Sequence, residues 1–511
     1  MFKNGAYAFF KPKIYQLSKM GNKMKQINIE VAVIGGGTAG LAAYRAAKEK
    51  TDSVVLIEGG KFGTTCARVG CMPSKLLIAA AEAAHSAAHT EPFGVFVDGD
   101  VRVDGKKVMQ RVRDERDRFV GFVVEAVDEI KAQDKLMGKA TFISETQLQI
   151  DDHTVINAER IVIATGSRPS YPPVWNDLGD KLVVNDDVFD WTDLPKSVAV
   201  FGPGVIGLEL GQSLHRLGVE VLMFGMGGQV GPFTDPDVMA YAERAFSDEF
   251  YLDADANVKN MQRKGDLVEI TYIDKQGNEQ VKNVEFVLAA TGRRANVDNL
   301  GLENLNASEV KLELDGHGVP IADPYTMQTS IPSIFIAGDA SNQIPLLHEA
   351  ADQGKIAGSN AGVYPNIRVG LRRSSIAAVF TDPQLAMVGL SYKQVTEKFA
   401  GCGCFETGTV SFEGQGRSRV MLKNKGLLNL YGEQGTGRFL GAEIIGPQAE
   451  HLAHLLAWAH QNRMTISQML DMPFYHPVIE EGVRTALRDL NAKLKLGSAM
   501  ISECMECGPG C

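Results

Sequence analysis

Hydrophobic and polar positions repeat one order of elements twice along the chain. Ile27 to Ile34 is a β-branched run that predicts a buried strand, and the glycine-rich turn GGGTAG follows it directly. An Ala-rich segment with helical spacing and the apolar run SVVLIE come next. The same order returns from Ser197 as SVAVF, GPGVIG, LELGQSLHRLG and VEVLMF. This duplication predicts two βαβ units of the kind that binds nucleotides.

The other segments predict how these units are completed. Residues 75–88 and 101–131 have the pattern of long helices. Residues 139–164 alternate apolar and polar positions, which predicts short antiparallel strands, and residues 266–290 are similarly rich in strand patterns. From Ser374 onward, strands followed by helices indicate a separate α+β domain. The predicted fold class is therefore α/β, with two Rossmann-like dinucleotide-binding domains and a C-terminal α+β domain.

Length, composition and charge exclude several classes of protein. Of the 511 residues, 44% are hydrophobic and 22% charged, which is typical of a globular protein and not of a disordered or fibrous chain. The net charge of −10, with no basic run beyond the first 25 residues, argues against nucleic acid as a partner. No apolar stretch reaches the ~18 to 20 residues of a membrane span. Seven cysteines and no secretory signal lead us to expect a cytoplasmic protein.

The first glycine turn predicts a dinucleotide site. In the motif at residues 35–40, Gly35 allows a tight turn, Gly37 lets a pyrophosphate approach the backbone, and Gly40 lets the helix pack on the strand. The helix that follows offers its free N–H groups to the phosphates. Glu58, at the end of the next strand, can accept hydrogen bonds from ribose hydroxyls.

The second glycine turn repeats this motif with one difference. Its glycines are Gly202, Gly204 and Gly207. The strand that follows ends at Phe224-Gly225, so no acid stands where a ribose-binding carboxylate is expected. No Arg or Lys lies between Arg216 and Arg244 to hold the 2′-phosphate of NADPH. The turn predicts a nucleotide site and leaves its preference open, with the missing cation weighing more against NADPH.

A pair of cysteines carries the clearest chemical signal. Cys66 and Cys71 belong to the run CARVGCMPSK, and they can form a disulfide only if the chain folds back between them. Pro73 suits the first turn of a helix, which would place Cys71 near a helix N-terminus where a thiolate is favoured. We therefore favour a redox function over the two alternatives, a structural disulfide and two unpaired core cysteines.

From about Ile27 to Leu490 these motifs resemble, in order, those of the flavin-dependent pyridine nucleotide–disulfide oxidoreductases. The matching motifs are GGGTAG with Glu58, TTCARVGCMPSK, ATGS, GPGVIGLE, ATGRRAN, IAGDA and HPVIEE. Within the family the pattern is most similar to the dihydrolipoamide dehydrogenases. The resemblance implies FAD and a nicotinamide nucleotide, NAD before NADP, and a homodimer whose active site is shared across the interface of the C-terminal domains.

The resemblance also implies roles for individual residues. Those implied to contact FAD are Gly35, Gly37, Thr38, Ala39, Gly40, Glu58, Thr65, Lys75, Ala140, Thr165, Gly166, Asp339 and Leu347. Those implied to contact the nicotinamide nucleotide are Gly202, Gly204, Val205, Ile206, Gly207 and Gly292. Cys71 is implied to be the sulfur next to the flavin, and Cys66 the one that exchanges with substrate. Lys75 is implied to lie by the flavin and to pair with Glu209.

The motif HPVIEE supplies the expected base. The resemblance implies that His476 is the general base and that Glu481 orients it. Imidazole suits this role because a dithiol must lose a proton near neutral pH before it attacks a disulfide. A carboxylate on the other ring nitrogen would hold the tautomer and stabilise the imidazolium. The alternative is a histidine with a purely structural role.

The predicted domains are an N-terminal extension (residues 1–26), an FAD-binding domain (27–168 and 297–370), an NAD(P)-binding domain (169–296), a dimerisation domain (371–495) and a cysteine-containing tail (496–511). The extension is basic, and three interpretations stay open: a Lys-rich presequence, a disordered segment, or an upstream start with Met20 or Met24 as the real one.

Several positions depart from the family pattern. Thr64 replaces a glycine, Gly225 replaces the acid, and Arg68 stands where a small polar residue is usual, so that its charge would lower the pKa of the two thiols. Cys402 and Cys404 are expected to be two thiols in a turn. The tail cysteines would relay electrons or bind a soft metal, or have no function; they are Cys504, Cys507 and Cys511. No other metal site is predicted.

The predicted activity is electron transfer between a dithiol or disulfide and a nicotinamide nucleotide through Cys66, Cys71 and FAD. The expected substrate is a small dithiol or a lipoyl domain, with dihydrolipoamide and NAD⁺ giving lipoamide and NADH. The enzymatic alternative is a reductase of another disulfide, or of a metal–thiolate as in mercuric reductase, that uses the C-terminal cysteines. The non-enzymatic alternative is a soft-metal-binding flavoprotein.

Overall fold

The computed structural model describes residues 24–307 and 310–495. Its strands are β1 (Lys25–Ile34), β2 (Val54–Glu58), β3 (Lys135–Met137), β4 (Ala140–Ser144), β5 (Gln147–Ile150), β6 (Thr154–Ile163), β7 (Ser167–Pro169), β8 (Leu182–Val183), β9 (Ser197–Phe201), β10 (Glu220–Phe224), β11 (Tyr251–Asp253), β12 (Asn257–Lys264), β13 (Leu267–Ile273), β14 (Glu279–Val284), β15 (Phe286–Ala289), β16 (Arg293–Ala295), β17 (Ile334–Ile336), β18 (Ile376–Val379), β19 (Gln384–Gly389), β20 (Phe405–Ser411), β21 (Leu427–Glu433) and β22 (Phe439–Gly446).

The α-helices are α1 (Thr38–Lys48), α2 (Thr65–Val69), α3 (Cys71–Ala88), α4 (Gly105–Asp128), α5 (Asn185–Val188), α6 (Val205–Arg216), α7 (Pro236–Ser247), α8 (Leu347–Val363), α9 (Tyr392–Lys398), α10 (Gly416–Val420), α11 (Ala449–Gln461), α12 (Ile466–Leu470) and α13 (Glu481–Lys493). Short 3₁₀ helices lie at Glu91–Phe93, Ala132–Asp134, Pro173–Lys181, Leu302–Ala307 and Gly338–Ser341.

The first nucleotide-binding unit is built on a sheet in the order β3-β2-β1-β6, with β17 on the far side of β6. These strands run parallel, and Ile34 of β1 pairs with both Ile57 of β2 and Ile163 of β6. The carboxyl ends of the three central strands therefore meet at one edge, where ligands of this fold bind. Along α8, a Cβ on Gly354 or Gly358 would lie within about 2.2 Å of an α1 carbonyl oxygen, so glycines let the two helices pack closely.

One strand of this sheet corrects the sequence prediction. Residues 139–164 were expected to form short antiparallel strands, and β4 and β5 do so. β6, however, is ten residues long and runs parallel to β1 along its whole length. Its first half also pairs with β5 and its second half with β17, so β6 has a neighbour on both sides. This explains why its last four residues, RIVI, are nearly all apolar and do not alternate.

The second unit repeats the architecture with a parallel sheet in the order β11-β10-β9-β15-β8. Helix α6 follows β9, as α1 follows β1. An antiparallel sheet of β12, β13 and β14 is attached to it. β15 is the last strand of the predicted strand-rich segment, residues 266–290. It does not join the antiparallel sheet and pairs with β9 in the parallel sheet. β7 and β16 pair antiparallel and connect the two units.

The C-terminal unit is an antiparallel sheet in the order β18-β19-β22-β21-β20, packed against α11 and α13. β22 is the central strand, and all eight of its residues are buried. The α/β class with two dinucleotide-binding units and a C-terminal α+β domain is therefore confirmed. The exact domain boundaries stay a prediction.

A turn in this unit overturns the expectation for Cys402 and Cys404. The structure joins them in a disulfide, with their Cα atoms 5.2 Å apart. Gly403 between them has a φ of 59°, which turns the chain back and brings the two sulfurs together. They are therefore not the two free thiols that we expected.

Two further expectations concern segments outside the described residues. The proposed N-terminal extension lies outside the described residues except for residues 24–26. Cys504, Cys507 and Cys511 also lie outside them. Among the described helices, none combines the length and the apolar character needed to cross a membrane. The cellular compartment stays a prediction.

Candidate active site

The first glycine turn has the geometry of a phosphate-binding loop. Gly35 has a φ of 108°, and a Cβ there would lie 2.3 Å from the carbonyl oxygen of Ala164. A Cβ on Gly40 would lie 1.7 Å from the oxygen of Gly35. Gly37 precedes the first residue of α1, and a Cβ there would meet nothing within 4 Å. The loop is thus pressed against the sheet, and the open space at Gly37 leaves the start of α1 at Thr38 accessible to a phosphate, whereas the next residue, Ala39, is buried.

Glu58 is held at the mouth of this loop. Its Oε2 accepts a hydrogen bond of 2.6 Å from the N–H of Gly36, and its Oε1 accepts one of 2.7 Å from the N–H of Gly60. Two backbone donors fix the carboxylate beside the glycine turn, where the ribose of a bound dinucleotide would lie. The structure therefore brings Glu58 and the first glycine turn together, as predicted.

Three further predicted flavin residues, Thr165, Gly166 and Asp339, follow β6 and β17 at the same edge of the sheet. The side-chain Oγ1 of Thr165 is buried without a hydrogen-bond partner in the described structure, which is costly unless a bound group supplies one. Gly166 has a φ of 69° and open space where a Cβ would be. Asp339 accepts a 2.7 Å hydrogen bond from the hydroxyl of Ser167. This unpaired hydroxyl and the two open glycines fit FAD.

Three predicted flavin residues make no polar contact that tests their role. Ala140 is buried at the start of β4 in the same apolar cluster as Ile34. Thr65 is the first residue of α2 and is exposed, and Leu347 is the first residue of α8 and is also exposed. Their contacts with FAD stay predictions.

The two cysteines begin consecutive helices. Cys66 is the second residue of α2, and Cys71 is the first residue of α3. Thr64 caps α2, because its hydroxyl accepts a 3.3 Å hydrogen bond from the N–H of Ala67. The break between α2 and α3 at Gly70 turns the chain back on itself and brings the two thiols into hydrogen-bond contact. Both are free thiols in the structure.

The two thiols titrate very differently. The pKa of Cys71 is lowered to about 7, because the hydrogen bond from Cys66 and the charge of Lys75 together outweigh the opposing effect of burial. The same hydrogen bond, together with burial, raises the pKa of Cys66. Cys71 is therefore the sulfur that carries negative charge near neutral pH.

Arg68 is not among the main causes of the pKa shift of either thiol. Its Nη1 donates a 3.3 Å hydrogen bond to the carbonyl oxygen of Lys61. Its charge lowers the pKa of Asp186, where burial has the larger and opposite effect. The main positive charge acting on Cys71 is that of Lys75, one helical turn further along α3.

Lys75 and Glu209 form the predicted ion pair. Nζ of Lys75 lies 2.7 Å from each oxygen of Glu209. The Glu209 side chain is 5% exposed and also accepts from the hydroxyl of Ser74 at 3.3 Å and the N–H of Phe380 at 2.9 Å. Lys75, Ser74 and Phe380 thus supply the donors that compensate the buried carboxylate. The carboxylate in turn holds Lys75 in place beside Cys71.

Phe380 and Ser74 are site residues that sequence reasoning missed. Nζ of Lys75 lies 4.5 Å from the centre of the Phe380 ring, a cation–π contact. Phe380 directly follows β18 in the C-terminal unit, and no motif marks it. Ser74 lies inside the cysteine motif and next to Lys75, and that position could have marked it as a site residue. The ion pair therefore joins all three units of the chain.

The second glycine turn reproduces the first. Gly202 has a φ of 104°, and a Cβ there would lie 2.4 Å from the oxygen of Ala290. A Cβ on Gly207 would lie 2.0 Å from the oxygen of Gly202, whereas Gly204 and Gly292 have open space. Val205 and Ile206 are the first residues of α6. The structure brings these residues together at the carboxyl edge of β9, as predicted.

Gly225 has a structural explanation. A Cβ at this position would lie 2.5 Å from the carbonyl oxygen of Ala254 and 2.8 Å from the ring of Pro203. The space that a ribose-binding acid would need is therefore filled by neighbouring backbone and by a proline ring.

The histidine lies apart from the cysteines. Nδ1 of His476 is 3.0 Å from both oxygens of Glu481, and this hydrogen bond lowers the pKa of the Glu481 carboxyl. The His476 side chain is 80% exposed. Within the described chain it forms no hydrogen bond with Cys66 or Cys71. The predicted His–Glu pair is present, and one subunit alone does not bring it to the thiols.

Comparison with protein families decides which family this site belongs to. A model of pyridine nucleotide-disulphide oxidoreductases matches residues 29–354, and one of the dimerisation domain of these enzymes matches residues 375–487. The chain belongs to the pyridine nucleotide-disulphide oxidoreductase family. The oxidoreductase is therefore an enzyme, and its family implies FAD and a nicotinamide nucleotide. Its dimerisation domain supports a homodimer.

Individual relatives do not point to a single activity, because similar identities are found to proteins with different names. The dihydrolipoyl dehydrogenase of Bacillus subtilis (strain 168) is 28% identical over 467 residues, which cover 89% of the oxidoreductase and 97% of that protein. The mercuric reductase of Streptomyces lividans is 30% identical over 460 residues, covering 88% and 93%. The solved structure of the HOCl-induced flavoprotein disulfide reductase RclA from Escherichia coli matches with a TM-score of 0.74 at 21% identity, covering 91% and 100%. This last likeness shows the fold alone.

Side chains that hold metals do not cluster in the described part of the oxidoreductase: no group of three or more His, Cys, Asp or Glu is placed to bind an ion. The tail cysteines, outside this part, stay weak metal candidates.

Proposed function

We propose that this protein oxidises a dithiol with NAD⁺, through Cys66, Cys71 and bound FAD, and that dihydrolipoamide, free or on a lipoyl domain, is its substrate. The observation that carries the proposal is the thiol pair, in which Cys71 has a pKa of about 7 and lies beside the Lys75–Glu209 ion pair. The relatives named dihydrolipoyl dehydrogenase support the choice of substrate.

The proposed chemistry begins with thiol–disulfide exchange. A substrate thiolate attacks the Cys66 sulfur of the oxidised pair, and Cys71 leaves as a thiolate. A leaving thiol with a low pKa departs faster, and the charge of Lys75, which lowers the pKa of Cys71, favours this step. The second substrate thiol then displaces Cys66, which leaves a substrate disulfide and a reduced Cys66–Cys71 pair.

FAD supplies the transfer of the resulting electron pair from the thiols to NAD⁺. The first glycine turn, Glu58 and Thr165 would hold it, and the second glycine turn would hold the nicotinamide nucleotide. Lys75 and Glu209 keep a positive charge next to Cys71 and stabilise its thiolate.

His476 is the proposed base, acting on substrate at the active site of the partner subunit. Because Nδ1 faces Glu481, Nε2 is the nitrogen left to take the substrate proton. Glu481 holds the tautomer and stabilises the imidazolium that forms. The 80% exposure of His476 in one subunit is compatible with a site that the dimer completes.

The test is a comparison of substrates with the FAD-loaded enzyme. We expect NADH formation from dihydrolipoamide and NAD⁺ to be much faster than oxidation of NADPH by glutathione disulfide. The opposite ranking, or no dihydrolipoamide oxidation at all, would overturn the proposed substrate while leaving the family intact.

A second candidate is reduction of a metal–thiolate, favoured by the 30% identity to a mercuric reductase and by the cysteines of the tail. The test is a protein truncated before Cys504. If mercuric-ion-dependent NADPH oxidation is high and disappears with the tail, this candidate replaces the first; if dithiol turnover is unchanged by truncation, the tail has no part in it.

A further inference from the structure

The two glycine turns can be compared residue by residue through their sheets. The N–H of Gly35 donates to the carbonyl of Ile57 at 2.7 Å, and the N–H of Gly202 donates to that of Phe224 at 2.8 Å. Ile57 and Phe224 are thus equivalent, and the residues after them, Glu58 and Gly225, occupy the same place. The same alignment makes Pro203 equivalent to Gly36, and Gly227 equivalent to Gly60.

These equivalences locate the donors that hold the first acid. Glu58 accepts from the N–H groups of Gly36 and Gly60. In the second turn, Pro203 has no N–H to offer. The other donor is present: the N–H of Gly227 donates a 2.8 Å hydrogen bond to Oδ1 of Asp255. A carboxylate therefore occupies the equivalent of one of the two hydrogen-bonding positions of Glu58, although it comes from a different strand end.

Asp255 is held there by the backbone. It lies two residues beyond β11, and its N–H donates to the side chain of Asp253 at 3.2 Å. The segment around Asp255 and the segment after β10 exchange backbone hydrogen bonds: Gly225 N–H to Asp253 O at 2.7 Å, Gly228 N–H to Ala254 O at 3.0 Å, and Ala256 N–H to Gly225 O at 3.1 Å. These contacts fill the space beside Gly225. They also place the Asp255 carboxylate where the side chain of an acid at position 225 would otherwise lie.

The charges nearby favour a hydroxyl over a phosphate. A cavity of about 360 Å³ beside Asp255 is also lined by the carboxylates of Glu243, Asp253 and Asp274. Its one lining cation, Lys275, pairs with Glu243 at 2.9 Å. A 2′-phosphate would meet an excess of negative charge here, whereas a ribose hydroxyl can donate to a carboxylate.

We propose that Asp255 is the ribose-binding acid of the nicotinamide nucleotide site and makes the enzyme select NAD(H) over NADP(H). This inference rests on the proposed nucleotide site and names a residue that neither the motif nor the spacing after the second glycine turn indicates. Asp255 binds and does not take part in the chemistry.

The test is calorimetric titration of the FAD-loaded protein with NAD⁺ and with NADP⁺. We expect the wild type to bind NAD⁺ at least about tenfold more tightly, because a hydrogen bond to a charged group is worth about that ratio or more. Asp255→Asn keeps an oxygen for the Gly227 N–H and removes the charge. It should weaken NAD⁺ binding about tenfold and reduce the preference by at least that factor.

Asp266→Asn is the matched control, because Asp266 is exposed in the turn between β12 and β13 and its change alters net charge equally. It should leave both affinities unchanged. A wild-type preference for NADP⁺, or an unchanged ratio in Asp255→Asn with an unchanged thermal midpoint, would overturn the inference alone. If neither nucleotide bound, the proposed function would fall with it.

Discussion

The thiol pair and the histidine differ in how completely one chain surrounds them. Lys75, next to Cys71, pairs with a Glu209 carboxylate that is 5% exposed and held by donors from two other parts of the chain. His476, by contrast, is 80% exposed and has Glu481 as its hydrogen-bond partner. The difference teaches that one subunit packs the ion pair beside the thiols, whereas it leaves His476 and Glu481 at its surface, where the proposed base would need a second subunit.

The largest expected effect is that of His476→Gln. Dihydrolipoamide oxidation should fall by about 10²- to 10⁴-fold, the usual contribution of a general base. Reduction of the bound flavin by NADH should survive, because the base acts on the dithiol only. Stopped-flow measurement of the two half-reactions checks this, and an equal loss in both would contradict the separation of the two halves.

Subunit mixing tests the sharing directly. A Cys66→Ser protein and a His476→Gln protein should each be inactive with dihydrolipoamide. After unfolding and joint refolding with FAD, the mixture should recover about a quarter of wild-type activity, since half of the dimers would carry one complete site. Refolding each variant alone is the control. No recovery from the mixture, with dimers present by light scattering, would mean that each chain supplies its own base.

Lys75→Met tests whether the ion pair stabilises the fold and the Cys71 thiolate. It leaves the Glu209 carboxylate buried with only neutral donors, at a cost of about 1 to 3 kcal/mol, so the thermal midpoint should fall. It also removes a charge that lowers the pKa of Cys71, so that pKa should rise. Lys107→Met is a control, because Lys107 is an exposed lysine on α4. An unchanged midpoint would show that the ion pair is not structural.

The smallest effect concerns the pH dependence of Cys71. Because its pKa is lowered to about 7, alkylation of the reduced enzyme by iodoacetamide should accelerate as pH rises through about 7 and slow below it. Cys66→Ala removes the hydrogen bond that is the main cause. The midpoint should then move up toward the ordinary thiol value of about 8.5. Mass spectrometry identifies the alkylated residue, and a midpoint that stays at 7 would contradict this cause.

Local patterns predicted much of this molecule. Both glycine turns, the strand before each and the helix after each were found where the motifs indicated, because Gly35 and Gly202 are needed for a local backbone conformation. The pair of His476 and Glu481 also followed from a short motif. Cys402 and Cys404 show the limit: their spacing alone suggested free thiols, and the positive φ of Gly403 allowed a disulfide.

The amino-acid sequence by itself determined the repeated βαβ units, the two glycine turns and the position of the paired cysteines, because each depends on residues that are close together in the chain. Only the tertiary structure decided that Phe380 completes the Lys75–Glu209 pair and that Asp255 lies opposite Gly227. Those contacts join segments that are distant in the chain or lie on different strand ends. Their positions depend on how the sheets pack, and the local spacing of residues in the sequence does not predict that packing.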